Sequence, residues 1–173
     1  AAFAGATLVL SRADGTSWSD KAVRDWRDVM PLAIAADNPH WRRMQEFHAA
    51  AAKHLAGRCL LAEIDMHSNV DLLEGLRGAQ DLLFDMIDQP ETVLEVMAQA
   101  RALYRQVYET LRAYGNKAEL GTTSALPFYH RGRFNRVQAD CIALLSPDLF
   151  RRFVLPALEE EASRLIVLYV EPG

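Results

Sequence analysis

Apolar residues recur at three- and four-residue spacing in two long stretches and gather into short unbroken runs in two others, which predicts helices alternating with buried strands. Residues 1–10 read as a short apolar strand or buried turn, and residues 11–37 are mixed. Asn38 and Pro39 supply a cap and a first-turn proline for a helix to about Leu55, with Trp41, Met44, Phe47, Ala51 and Leu55 on its apolar face and Gly57 closing it. Residues 59–65, CLLAEID, form an apolar run of strand length. The helix VDLLEGLR follows, capped by Asn69 and ended by Gly78, and AQDLLFDMID adds further helical turns. The spacing of Asp88 and Glu91, with Pro90 between, opens the longest helix. Its face is Val93, Met97, Ala100, Tyr104, Val107, Leu111 and Tyr114, and Gly115 stops it. Residues 116–145 lose the helical period, as a long functional loop would. Ser146, Pro147 and Asp148 cap the helix LFRRFVLPALEEEASRL, which Pro156 should kink, and LIVLYV at 165–170 reads as a strand. No turn residue parts that helix from that strand, so a segment of the natural protein is expected to be missing near residues 164–166.

Composition narrows the function classes. The 173 residues are 50% hydrophobic and 24% charged, enough for one domain with its own core. A net charge of -4 gives no basic field for a nucleic acid or an anionic membrane. No apolar run approaches the roughly 20 residues of a membrane span. The start has neither Met nor the basic region of a signal peptide, so the chain is expected to begin inside the natural protein, in the cytoplasm. Cys59 and Cys141 are too few for a disulfide framework and read as reduced, mostly buried thiols.

Candidate chemistry gathers where the first buried run ends. Glu63, Asp65 and His67 would point the same way along an extended strand, and the carboxyl ends of parallel strands are where α/β folds bind ligands. A carboxylate beside His67 can orient the ring, raise its basicity or share a metal. Asp71, Glu74 and Arg77 follow at three-residue steps. Arg77 either pairs with Glu74 on the helix surface or clamps a substrate carboxylate. Tyr129, His130 and Arg133 sit on a basic, aromatic, glycine-bearing segment suited to a small anionic ligand, and Asp140 precedes an apolar run at a second strand end. Nothing marks the Cys141 thiol as activated, and Trp18, Trp26 and Trp41 read as core or lid aromatics. His48 and His54, six apart on one helix, cannot face one metal, and His40 reads as surface. Dinucleotide, phosphate-loop, zincin and nucleophile-elbow motifs are all missing from the sequence.

The stretch DMHSNVDLLEGLRGAQDLLFDMIDQPETVLEVM, followed by QADCIALLSPDLFRRFVLPAL, resembles the uroporphyrinogen decarboxylase superfamily, in its decarboxylase-like branch with Asp-x-His at a strand end. The likeness covers most of residues 1–164. It implies a (β/α)8 TIM barrel that is cytoplasmic and often dimeric. Such a barrel takes about 250 residues, so residues 1–173 would form one partial-barrel domain. Where true uroporphyrinogen decarboxylases have a small apolar strand end, this chain has Asp65, Met66 and His67. The arginine-rich motif that grips carboxylates has no counterpart, and the zinc ligands of the related methyltransferases would fall in a later part of the barrel. The expected function is methyl transfer between a corrinoid (or similar donor, with a corrinoid protein as possible partner) and a small acceptor. Asp65, His67 and Asp140 would be catalytic, Arg77, Tyr129, His130 and Arg133 would bind substrate, and zinc would be the metal, His67 a possible ligand. The alternatives are cofactor-free decarboxylation of a pyrrolic or other aromatic acid, and a non-catalytic scaffold.

Overall fold

The computed structural model describes all residues except 14, 68, 125–127, 164–166 and 172–173, with the backbone alone at 136–138 and 167–171. Its organising element is a three-stranded parallel sheet in the order β3 (Met66–His67), β6 (Phe134–Gln138), β7 (Val167–Glu171). Met66 pairs with Val137 and His67 with Gln138, while β6 runs beside β7 from Phe134↔Val167 to Gln138↔Glu171. Helices carry the chain between these strands, as parallel pairing requires. Two small antiparallel pairs flank the sheet: β1 (Leu8–Ser11) with β2 (Thr16–Ser19), and β4 (Thr122–Thr123) with β5 (Tyr129–His130).

The helices are α1 (Pro39–Leu55), α2 (Asn69–Arg77), α3 (Ala79–Asp88), α4 (Pro90–Arg112), a single turn α5 (Lys117–Leu120), then α6 (Pro147–Leu149) and α7 (Leu155–Ala162). Helix α4 is the spine of the core. Val93, Val96, Met97, Ala100, Leu103, Tyr104, Val107, Tyr108 and Leu111 form one buried stripe at helical spacing, and Leu73, Leu76, Leu82 and Met86 come from α2 and α3. Each such side chain contributes about 1.5–3 kcal/mol on burial, so this interface fixes where α2 carries its polar residues. The hairpin β1–β2 closes on α2 at Gly75. A Cβ there would lie 2.9 Å from both Ala1 Cβ and Ser19 Oγ, and the Ser19 hydroxyl donates to the Gly75 carbonyl at 2.8 Å.

Several expectations hold and several are corrected. Asn38 caps α1, its Oδ1 accepting from the Trp41 amide at 2.9 Å, and Ser146 caps α6. On α1, however, His48 is buried and Phe47 is 61% exposed, because 41, 44, 48 and 55 make the true 3.6-residue stripe. Helix α4 has no Asp88 cap: Asp88 belongs to α3, and only Gln89 separates the two helices. The expected strand over 59–65 shrinks to Met66–His67, with the preceding segment lacking a ladder. Residues 116–145 hold α5, three strands and a 3-10 turn Asp140–Leu144 rather than a loop. Before Pro156 the helix widens into a π-helical turn, Phe150–Val154, which accommodates a residue that cannot donate an amide. The strand expected at 165–170 is present as β7, while the junction at 164–166 lies outside the described residues. Cys141 is buried, but Cys59 is exposed. Among the described residues, no helix is long and apolar enough to cross a membrane.

Candidate functional site

The parallel pairing of β3 and β6 brings two chain segments to one sheet edge. His67 ends β3, and β6 ends at Gln138, with Ala139 alone between it and the 3-10 turn that starts at Asp140. Helix α2 begins at Asn69, whose φ of +53° lies in the left-handed region that Asn tolerates better than most side chains. This sharp strand-to-helix turn swings Asp71 back beneath His67. The His67 Nδ1 lies 3.1 Å from Asp71 Oδ2. The same carboxylate accepts the amide of Asp140 at 2.9 Å on Oδ2 and the amide of Cys141 at 3.0 Å on Oδ1. Asp71 is 5% exposed at its side chain and His67 46%, so a buried carboxylate holds a half-open imidazole. One ring nitrogen of His67 and one carboxylate oxygen each of Asp71 and Asp140 lie within 4.8 Å of one another.

The electrostatics follow from these contacts. The hydrogen bond to Asp71 holds His67 above its ordinary value against the opposing effect of burial, helped by the charges of Asp71, Asp65 and Asp140. Burial pushes Asp71 up, but bonds from His67 and from the Cys141 and Asp140 amides together outweigh it, and the net shift is down. Burial, then the charges of Asp71 and Asp140, raise Glu74. The Cys141 thiol is pushed up to about 11 by burial and by Asp71 and Glu74, which leaves it protonated and unreactive near neutrality.

Open clefts meet at this cluster. One of about 650 Å³ runs from His67, Asp71 and Glu74 to Trp18 and Phe3. A second of about 370 Å³ lies between His67, Glu74, Asp140 and Leu144. A third, mostly apolar, joins Asp65 and His67 to Ile64, Leu72 and Leu103. His67 borders all three, Asp140 the second and Asp65 the third. No arginine lines them among the described residues, and Lys21, at the rim of the first, pairs with Asp81 at 3.0 Å.

The expected substrate-binding residues are placed elsewhere. Arg77 does not pair with Glu74 or face the clefts. It grips Asp85 with two bonds of 2.7 and 3.1 Å and reaches the Arg24 carbonyl, while Asp85 also accepts from the Trp26 indole at 2.8 Å and from Gln89. Tyr129, His130 and Arg133 lie before the first residue of β6, at the opposite end of the strand from Asp140. Tyr129 donates to the Leu120 carbonyl, His130 Nδ1 accepts the Gly132 amide, and Arg133 pairs with Glu109. Glu63 does not join His67 either: it turns inward to a buried ion pair with Lys117. Asp71 is the site residue that sequence reading missed. Its one signal is the four-residue spacing to His67, which means contact only once the turn at Asn69 is known.

His67, Asp71 and Asp140 offer one nitrogen and two carboxylate oxygens, ligand types that zinc accepts. A metal there would have to take Asp71 from the two amides and the imidazole that its carboxylate already serves. In comparison with known proteins, no family model, no curated protein and no solved structure matches the chain.

Proposed function

We propose that the chain belongs to a uroporphyrinogen-decarboxylase-like enzyme of (β/α)8 type that transfers a methyl group to a small acceptor bound against His67. The observation that carries this reading is the gathering of His67, Asp71 and Asp140 at the carboxyl ends of two adjacent parallel strands, on open clefts. The parallel, sequential order β3-β6-β7 is the order taken by an arc of a singly wound barrel, and one half of a doubly wound sheet takes it too.

In the transfer, the imidazole of His67 takes the proton from the acceptor. The electron pair so freed forms the bond to the methyl carbon, and the pair of the broken bond stays with the donor. A methylated corrinoid, entering as substrate, supplies the methyl group. General-base help of this kind contributes about 10²–10⁴-fold. The charges around His67 favour a neutral or cationic acceptor, because Asp65, Asp71 and Asp140 surround it and both expected carboxylate clamps, Arg77 and Arg133, are engaged elsewhere. The same charges weigh against decarboxylation of a polycarboxylate, whose binding needs cationic partners.

The test is to incubate the protein with methylcobalamin and a panel of thiols and amines, following the corrinoid spectrum and the mass of the acceptor. Methylated product that disappears in His67→Gln supports the reading. Carbon dioxide release from a pyrrolic polycarboxylate, or methyl transfer at full rate in His67→Gln, overturns it.

A further inference from the structure

We infer that Asp71 is the positioning residue of this site: it fixes the ring tautomer of His67, making Nε2 the proton-accepting atom, and ties Asp140 beside it through the turn that ends β6. The inference rests on His67 being the acid–base group proposed above.

Asp71 is 5% exposed and meets three groups at once: His67 Nδ1 at 3.1 Å, the Asp140 amide at 2.9 Å and the Cys141 amide at 3.0 Å. Two of the three are amide donors that only an acceptor can satisfy. An ionised carboxylate has nothing to donate, so the third partner, Nδ1, must carry a hydrogen. In a neutral imidazole the other nitrogen is then a bare acceptor. His67 borders the clefts with about half its side chain open, so this nitrogen is the one left to a ligand. The same carboxylate joins the start of α2 to the turn after β6. Those two segments are far apart in sequence, and no other hydrogen bond described here joins the ring of His67 to the Asp140 turn.

The groups that face the ring act in the same sense or are neutral. Asp65 precedes β3, Glu74 lies one turn beyond Asp71 on α2, and Asp140 and the Cys141 thiol follow β6. The cation at the cleft rim, Lys21, is paired with Asp81. Negative charge around the ring favours its protonated form but does not choose between the two neutral tautomers. That choice belongs to the hydrogen bond from Nδ1.

Removing the acceptor makes this testable. Asparagine would keep its oxygen toward Nδ1 and the Asp140 amide, which share Oδ2, so the informative variant is Asp71→Ala. There Nδ1 loses its hydrogen-bond acceptor, and the hydrogen is free to return to Nε2, the nitrogen that carries it in a free neutral imidazole. Side-chain nitrogen NMR of the ¹⁵N-labelled protein reads this without substrate, with His67→Gln assigning the signal among the five histidines. In the unaltered protein, above the titration of His67, Nε2 should resonate as the unprotonated nitrogen. In Asp71→Ala Nε2 should take on protonated character, the titration midpoint of His67 should fall, and methyl transfer should lose about 10²–10⁴-fold with its pH profile displaced. An Nε2–H tautomer in the unaltered protein overturns the inference even if no variant folds. An unchanged tautomer and midpoint in folded Asp71→Ala do the same. A correct tautomer without methyl transfer would overturn the proposed reaction and leave the role of Asp71 standing.

Discussion

Replacing Lys117 by Met removes one half of an ion pair that has almost no access to water. The Nζ lies 2.7 Å from Glu63 Oε2, the two side chains are 0% and 2% exposed, and the other oxygen of Glu63 has no hydrogen-bond partner among the described residues. At an effective dielectric of about 20 the attraction across that distance is about 6 kcal/mol. Burial opposes both charges, pushing Glu63 up and Lys117 down, so most of the attraction offsets desolvation and the intact pair adds little net stability. Breaking it is different, because the variant keeps the desolvated carboxyl and loses the cation. We expect Lys117→Met to cost about 3–5 kcal/mol at neutral pH. Urea unfolding followed by the fluorescence of the buried Trp26 and Trp41 measures this. The sign of the pH dependence is a second check. Without Lys117 the folded carboxyl of Glu63 titrates still further above its unfolded value. The penalty is then full above the folded pKa and shrinks as pH falls through it toward the ordinary carboxylate range. The double variant Glu63→Leu with Lys117→Met should recover to within about 1 kcal/mol of the original protein. A loss below about 1 kcal/mol for Lys117→Met, or one identical at neutral and acid pH, would refute the reasoning.

Further outcomes follow from other buried or half-buried groups. Arg77→Met should lower stability by about 3 kcal/mol, since it strips Asp85 of its cation; calorimetry should show Tm falling by about 6–12 °C. His48 is 1% exposed and bonded to the Met44 carbonyl, and burial holds its pKa below the ordinary value. The unfolded chain therefore takes up the proton first, and stability falls as pH drops below about 6.5; His48→Leu should flatten that slope in a series of urea titrations. His67 has the opposite sign. Its raised pKa gives stability that is present below about 6.5 and lost as pH rises through the folded value, and His67→Gln should remove this along with the proposed methyl transfer. Asn38→Ala should cost about 1–2 kcal/mol in the same unfolding assay, because it removes the cap of α1 and the bonds from its side-chain amide to the Ala2 and Phe3 carbonyls.

Local chemistry was legible in the sequence wherever it decided the structure. Asn38 with Pro39 and Ser146 with Pro147 start helices by satisfying orphan amides, and the period of α4 follows from packing one face. The run at 59–65 misled because apolar content marks burial and not pairing, and Glu63 within it is buried for Lys117 rather than for a ladder. The pair Arg77–Asp85 spans a bend at Gly78, where φ is +85°, so no helical spacing announces it. His67, Asp65 and Asp140 could be singled out because strand ends carry chemistry in parallel folds. Asp71 stands out in the sequence only as the first of three charged residues on α2, and its role was not legible, since two of its three partners are backbone amides about seventy residues away.

The unequal ladders of the central sheet have a consequence for how the site comes into being. Closing the chain of residues 68–133 between β3 and β6 costs conformational entropy, and β3 regains only a ladder of two residues where β6 and β7 share five. Folding should therefore join β6 to β7 early and dock β3 last. Substitutions in β3, His67 included, would then accelerate unfolding while leaving the refolding rate nearly unchanged, and the cluster of His67, Asp71 and Asp140 would be the last part of the molecule to exist and the first to come apart.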